Sequence, residues 1–278
     1  MANGAVWVDG RVVAPDEATV SVFDHGFTVG DGVFETLKVV DGTPFALRRH
    51  LERLERSAQG MGLGLPVGRA RLAAAVADTI AAAGPTAGRV RITLTGGPAP
   101  LGSGRGEAPP TLVVAVAPAS AWEADTAAVS VPWPRNERSA VAGVKTTSYA
   151  ENVVALAEAR KVGATEAILP NTRGALCEGT GSNVFVTVGG RLLTPSLLSG
   201  CLAGITRALV LEVVPGADED DLPFDVLHAA DEVFLTSSTR DVQPLRMIDG
   251  RELPGAAGQV ARAAAAALAD LQARTLDP

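Results

Sequence analysis

Two Asp-Gly dipeptides, Asp9-Gly10 and Asp41-Gly42, each stand between short apolar runs, in AVWVDGRVV (residues 5–13) and VFETLKVVDGTPFAL (residues 33–47). A two-residue hairpin connection needs positive φ at its central positions, which aspartate tolerates and glycine prefers, so each dipeptide predicts a tight turn between antiparallel strands. The start of the chain is therefore committed to sheet.

The period then changes. In LRRHLERLERSAQGMGL, Leu47, Leu51, Leu54 and Ala58 recur at helical spacing, and Gly60, Gly62 and Gly64 punctuate the end. A second helix is expected over ARLAAAVADTIAAAG (residues 70–84). The strands RVRITLT and TLVVAVA flank the loop GGPAPLGSGRGEAPP (residues 96–110), which is longer than a plain hairpin needs and is marked as a functional loop.

PASAWEAD breaks the periodicity, so the expected division is a small N-terminal domain over residues 1–118, a linker at 119–125 and a larger C-terminal domain over 126–278. A chain of 278 residues with 47% hydrophobic and 20% charged residues has the material for two cores. Beyond the linker, strands alternate with helices. ENVVALAEARKVG, ITRALVLEVV and the terminal AAGQVARAAAAALADLQAR read as helices; TEAILP, EVFLTSS and the hairpin VFVTVGGRLLT, turning at Gly189-Gly190, read as strands. The fold class is α/β.

The formal net charge of −7 and a pI near 5.1 argue against a nucleic-acid partner. MANGAVWVDG has no basic start followed by an apolar core, and no run approaches bilayer length, so a cytoplasmic protein without a membrane partner is expected. Cys177 and Cys201 lack metal-ligand spacing; both are read as reduced and packed, and no metal site is expected.

Three lysines, Lys38, Lys145 and Lys161, stand against twenty-one arginines. Genome composition suffices to explain scarce lysine, so only position can argue for chemistry. Lys38 belongs to an alternating strand and Lys161 to the last turn of a helix, where a cation complements the dipole. Lys145, in GVKTTSYAEN, sits in a short polar segment just before a helix, and its spacing leaves a catalytic and an ordinary role both open. Glu178 ends a short strand ahead of a small-residue loop, which alone reads as a turn with an exposed acid. Gly204-Ile205-Thr206 opens a helix, either as a simple cap or as a group of amides suited to a phosphate.

An isolated amine, an acid and an amide-rich helix start are what an enzyme holding pyridoxal phosphate needs. The run from Glu178 through Asn183-Val184-Phe185 and Leu192-Leu193-Thr194 to Leu202-Ala203-Gly204-Ile205-Thr206-Arg207 resembles the signature of class IV aminotransferases, the fold-type IV pyridoxal phosphate enzymes. FDHGFTVGDGVFET and HLERLERS (residues 50–57) extend the resemblance, although His25 stands where the family usually has arginine. The resemblance implies a small α+β domain and a larger pseudo-barrel domain carrying Lys145. It also implies pyridoxal 5'-phosphate as cofactor, Lys145 as the Schiff-base lysine, Arg53 on the phosphate and Glu178 on the pyridine nitrogen. Gly204, Ile205 and Thr206 join the phosphate site with Ser237 and Ser238 of LTSSTRDVQPL. A homodimer is implied as well, with a small-molecule amino donor and a 2-oxo acid acceptor as substrates.

The substrate remains open at this point. The Arg-x-His pair of typical D-amino acid transaminases is absent, since Leu101 and Ser103 hold the matching positions, and Phe34 replaces the family's tyrosine. His25, Phe34, Arg89, Arg91, Arg105 and Thr239 are the substrate-binding candidates. A transaminase of D-amino acids or related primary amines is the leading expectation. A 4-amino-4-deoxychorismate lyase follows, suggested by GSGRG. A branched-chain L-amino acid transaminase and a non-catalytic carrier of the cofactor stand behind these.

Overall fold

The strands of the first unit are β1 (Ala5–Val8), β2 (Arg11–Val13), β3 (Gly32–Val40), β4 (Thr43–Pro44), β5 (Arg89–Thr95) and β6 (Thr111–Ala117), in the sheet order β2-β1-β6-β5-β3-β4. The computed structural model describes residues 4–255 and 258–278. Asp9 and Gly10 have φ of 50° and 83°, Asp41 and Gly42 of 48° and 76°, so both expected hairpins form with the left-handed turn residues that their sequence demands. The short helix α1 (His25–Thr28) precedes β3; α2 (Leu47–Gly60) and α3 (Arg69–Ala83) follow β4.

Alternation along the strands sorts the two faces of this sheet. Val33, Leu37, Val90, Ile92, Leu94, Leu112, Val114 and Val116 point into one core with Leu51, Leu54 and Ala58 of α2 and Leu72, Val76 and Ile80 of α3. The other face carries Phe34, Thr36 and Lys38 from β3 beside Arg89, Arg91 and Thr93 from β5, with Lys38 opposite Arg89 and Thr36 opposite Arg91. Glu35 breaks the pattern: it lies on the core face, opposite Ile92, with no exposed surface.

Helix α2 begins at Ala46, a left-handed residue (φ 55°) whose side chain offers no cap. The segment Thr275–Pro278 supplies one instead. Ala46 N donates to Leu276 O at 2.7 Å, Arg48 N donates to Asp277 Oδ1 at 2.9 Å, and the Arg48 and Arg49 side chains donate to Pro278 O.

The second unit runs from Ala121 to Gly143 and from Tyr149 to Arg274. Its strands are β7 (Thr126–Ser130), β8 (Glu166–Pro170), β9 (Leu176–Gly179), β10 (Asn183–Val188), β11 (Arg191–Pro195), β12 (Ala217–Asp220), β13 (Glu232–Ser237), β14 (Asp241–Ile248) and β15 (Arg251–Glu252). The order is β12-β11-β10-β13-β14-β7-β8-β9, with β15 on β14, and the sheet mixes parallel and antiparallel pairs. Helices α4 (Ala150–Lys161), α5 (Ile205–Val213), α6 (Val226–Ala229) and α7 (Gln259–Arg274) complete it. The expected terminal helix agrees with α7, while Ala256 and Ala257 at its expected start lie outside the described residues.

Strands β10 and β13 are buried on both faces, which is why NVFVTV and EVFLTS read as nearly continuous apolar runs. Val184, Val186, Val233 and Leu235 pack with Val226 and Leu227 of α6, and on the opposite face Phe185 and Phe234 stack at 4.9 Å between centroids.

One placement differs from the expected division. Lys145 was expected in the C-terminal domain, yet Val144–Ser148 belongs to the first unit, and residues 121–125 of the expected linker belong to the second. The reason is edge pairing. β4 covers only the Val39–Val40 end of β3, and Thr146 bridges Val33 at the other end, with Phe34 N donating to Lys145 O (3.0 Å) and Thr147 N to Gly32 O (2.8 Å).

Truncating Phe234 removes a fully buried ring and leaves its stacked partner against a cavity. The Phe234→Ala variant is expected to lose about 3–5 kcal/mol of second-unit stability, read as a lower urea midpoint in a melt followed by near-ultraviolet circular dichroism.

Candidate active site

Lys145 is held by its backbone. Besides its carbonyl's bond from Phe34 N, its own N donates to Ser57 Oγ at 3.4 Å, and its Nζ lies 4.4 Å from the centre of the Phe34 ring. The Arg91 guanidinium lies 3.5 Å from the same centre. The amine and an arginine are thus gathered on one aromatic ring of the first unit.

On the other face of β3, Arg53 from α2 meets Glu35. Arg53 Nε and Nη2 donate to the two carboxylate oxygens at 2.7 and 2.8 Å, and His50 Nδ1 lies 2.6 Å from Oε2. Burial pushes the Glu35 carboxyl up, but the charge and hydrogen bonds of Arg53, followed by those of His50, outweigh it and hold the group well below the usual carboxylate range. Burial pushes the His50 imidazole down; Glu35 opposes this, while Arg53 and Lys145 add to it, and the net direction is down. Glu35, as an ionised carboxylate, only accepts, so the His50 nitrogen that faces it, Nδ1, is the one that carries a proton.

His25 and Arg105, two of the substrate candidates, converge on Asp31. Arg105 donates through Nε and Nη2 to both Asp31 oxygens (2.7 and 2.6 Å) and to the carbonyls of Met61 and Gly62. The hydrogen bond from Arg105 lowers the Asp31 carboxyl despite partial burial. His25 is buried, with Nδ1 3.3 Å from Asp31 Oδ2. The loop over residues 96–110 is therefore pinned to the end of α2 by Arg105. Arg89 and Arg91 are exposed on the open sheet face.

In the second unit Glu178 lies in β9, paired with Leu169 and 9% exposed, in place of the exposed acid that its loop alone suggested. Its Oε1 accepts from Arg135 Nε at 3.1 Å and its Oε2 from Leu202 N at 2.9 Å. Arg135 is fixed in turn by Asn152 Oδ1 at 3.2 Å from both terminal nitrogens, and Asn152 Nδ2 donates to Thr180 O. Asn183 Nδ2 donates to Leu202 O at 2.9 Å. A Cβ on Gly204 would sit 1.9 Å from Asn183 Oδ1, so only glycine fits where α5 starts. Gly204 gives α5 no side-chain cap, and its first amides, with Thr206 buried in the first turn, form the expected anion-suited helix start. Ser237 ends β13, and Ser238, Thr239 and Arg240 turn into β14, with Arg240 N donating to Ser237 Oγ at 3.2 Å.

The two cysteines take no part. Burial, reinforced by the Glu178 charge, pushes both thiols up, that of Cys201 to about 11. Among the described residues no cluster of three or more His, Cys, Asp and Glu is placed to hold a metal, and no helix is long and apolar enough to cross a membrane.

Glu35, His50, Arg135 and Asn152 were not singled out from the sequence. Two of them carried a signal: Glu35 falls between the inward positions Val33 and Leu37, and His50 falls on the Leu47-Leu51-Leu54 stripe of α2. Arg135 and Asn152 reach Glu178 only through tertiary structure.

Each unit carries groups of a kind that pyridoxal phosphate takes: an amine (Lys145) and a fork-shaped cation (Arg53) in the first, a fixed carboxylate (Glu178) and an uncapped helix start in the second. The family described as amino-transferase class IV matches residues 32–248. A putative branched-chain-amino-acid aminotransferase of Methanocaldococcus jannaschii is 32% identical over 88% of each chain, and a D-alanine aminotransferase of Bacillus licheniformis is 30% identical over 92% of this chain and 93% of its own. An aminodeoxychorismate lyase of Bacillus subtilis is 30% identical over 88% of this chain and 86% of its own. The branched-chain aminotransferase of Thermoproteus uzoniensis, solved with norvaline, superposes with a TM-score of 0.88 at 32% identity, covering 95% of this chain and 92% of that one. Structural neighbours carry pyridoxamine 5'-phosphate or a phosphopyridoxyl-glutamate. The chain belongs to the class IV aminotransferases, enzymes of fold type IV that depend on pyridoxal 5'-phosphate.

Proposed function

We propose that this chain is a transaminase that moves an amino group between a D-amino acid, or a related primary amine, and a 2-oxo acid, with Lys145 as its catalytic amine. The observation that carries the amino-acid reading is the Phe34 ring, which both the exposed Arg91 guanidinium and the Lys145 amine contact. Arg91 offers a planar fork suited to a substrate carboxylate. The D-alanine aminotransferase relative supports the choice of donor hand.

Pyridoxal 5'-phosphate, when bound, supplies an aldehyde for an amine and a ring that withdraws electrons from the substrate's α-carbon. Lys145 would hold that aldehyde through Nζ and would hold and move the substrate's α-proton on the same atom. Glu178, its two oxygens fixed by Arg135 and the Leu202 amide, would hold the proton of the pyridine nitrogen. In the first unit Arg53 would take the phosphate and Arg91 the substrate carboxylate; in the second, the α5 start at Gly204–Thr206 with Ser237 and Ser238 offers donors of the kind a phosphate takes. Arg105, the residue that pointed to a lyase, is committed to Asp31 and two carbonyls, so it lends that reading little.

A branched-chain L-amino acid donor is the second reading. It is favoured by the solved norvaline complex of a 32% identical relative and by the missing Arg-x-His pair. The exposed Val20, Val22, Phe23, Phe27 and Val29 support a second copy of this chain as partner, making the enzyme a homodimer.

Lys145→Ala is expected to lose turnover while keeping the far-ultraviolet circular dichroism of the parent; appreciable residual transamination would overturn the assignment. Arg91→Met is expected to raise KM for amino acids at least tenfold, the loss of about 1.5–3 kcal/mol from a charge-assisted pair, with pyridoxal phosphate affinity unchanged. Mixing the yellow holoenzyme with D-alanine, D-glutamate, L-leucine and L-glutamate separately is expected to bleach the yellow band fastest with the D forms. Bleaching by the L forms alone would select the branched-chain reading, and no bleaching with any of them the lyase or a transaminase of primary amines.

A further inference from the structure

A fully buried carboxylate among aliphatic side chains needs a reason. Glu35 has no exposed surface and occupies an inward position of β3 between Val33 and Leu37, where a leucine or valine would fit the layer. Replacing a buried ion pair with apolar residues is commonly neutral or stabilising, so stability does not account for it. Its geometry does more. Both oxygens are committed to one edge of the Arg53 guanidinium, at 2.7 Å from Nε and 2.8 Å from Nη2, and His50 Nδ1 holds Oε2 at 2.6 Å from one helical turn earlier. Arg53, 5% exposed, thus has its guanidinium plane fixed by a carboxylate that is itself fixed. A rigid fork loses less freedom when it meets an anion than a mobile one does.

We propose that Glu35 is a positioning residue for the cofactor's phosphate: it holds the Arg53 fork in its binding orientation, and His50 buttresses it. This rests on the reading that Arg53 binds that phosphate. The carboxylate also neutralises much of the charge Arg53 would present, so two opposite effects compete. If orientation dominates, removing the Glu35 charge weakens phosphate binding; if neutralisation dominates, removal strengthens it.

The test compares the apoprotein's affinity for pyridoxal 5'-phosphate with its affinity for pyridoxal, which has the aldehyde but no phosphate, each read from the growth of the yellow band on titration. The ratio of the two dissociation constants measures what the phosphate contributes. Glu35→Gln is expected to shrink that ratio about tenfold, with the affinity for pyridoxal itself little changed. Glu35→Asp keeps the charge on a shorter arm and is expected to fall between Gln and the parent; it also serves if Glu35→Gln does not fold. A purely structural role would weaken both ligands alike or lower the melting temperature alone, leaving the ratio intact. An unchanged or larger ratio in both variants overturns the proposal. Arg53→Met separates the two layers of the argument. If the ratio survives that change, Arg53 does not bind the phosphate; if it collapses there but not in the Glu35 variants, the positioning role alone fails.

Discussion

The backbone pairing of Val144–Ser148 with the uncovered end of β3 is the constraint on which the first unit's chemistry depends. A β-strand edge carries N–H and C=O groups that must find partners, and β4 is too short to serve all of β3. The segment that fills the gap brings Lys145 with it, so the amine's position is fixed by main-chain hydrogen bonds at Gly32 and Phe34. Side-chain packing then sets its direction, over the Phe34 ring. Hydrogen bonds of this kind do not depend on the identity of the lysine side chain, so the scaffold can place an amine there without relying on it for stability.

The two carboxylates are held by different means that suit different tasks. Glu35 is enclosed, with an arginine and an imidazole taking its oxygens, and its ionisation is secured by their charge against the cost of burial. Glu178 receives one arginine nitrogen and one backbone amide, one on each oxygen. A backbone amide cannot swing away, and Arg135 is braced through Asn152 to the main chain at Thr180. The carboxylate plane of Glu178 is thus set by the folded backbone, as the pyridine-nitrogen role proposed for it would need.

Local rules made part of this legible in the sequence. The Asp9-Gly10, Asp41-Gly42 and Gly189-Gly190 turns, the stripe of α2 and the start of α5 are each dictated within a few residues, and they stand where the sequence indicates. β14 was hidden because Pro244 and Gln243 interrupt its apolar character, although Pro244 lies in register with Phe234. Acidic β12, ADED, likewise has no apolar signal and forms by parallel pairing with β11. The placement of Lys145 was least visible, since its partners on β3 lie more than a hundred residues upstream and no local pattern announces the pairing. For the same reason Arg105 stood in the sequence only as a substrate candidate on a long loop, when Asp31 and the end of α2 anchor it.

Cost divides the residues that carry the cofactor reading from those that would choose a substrate. Glu35, His50, Arg53 and Glu178 are buried, so replacing any one strands a charge or a donor in an apolar layer and is penalised whatever the substrate. Arg89 and Arg91 are exposed, and Thr36, Lys38 and Thr93 are half-buried on the open sheet face, where exchange carries little folding penalty. A scaffold built this way can keep its phosphate and amine machinery while its carboxylate partners change. Relatives named for D-alanine, branched-chain amino acids and aminodeoxychorismate can therefore stand at similar distances from this chain, about 30% identity, without contradiction. On the proposed reading, specificity would follow from a few side chains on β3 and β5, among which Arg91 has the fork that a carboxylate takes and shares the Phe34 ring with the amine.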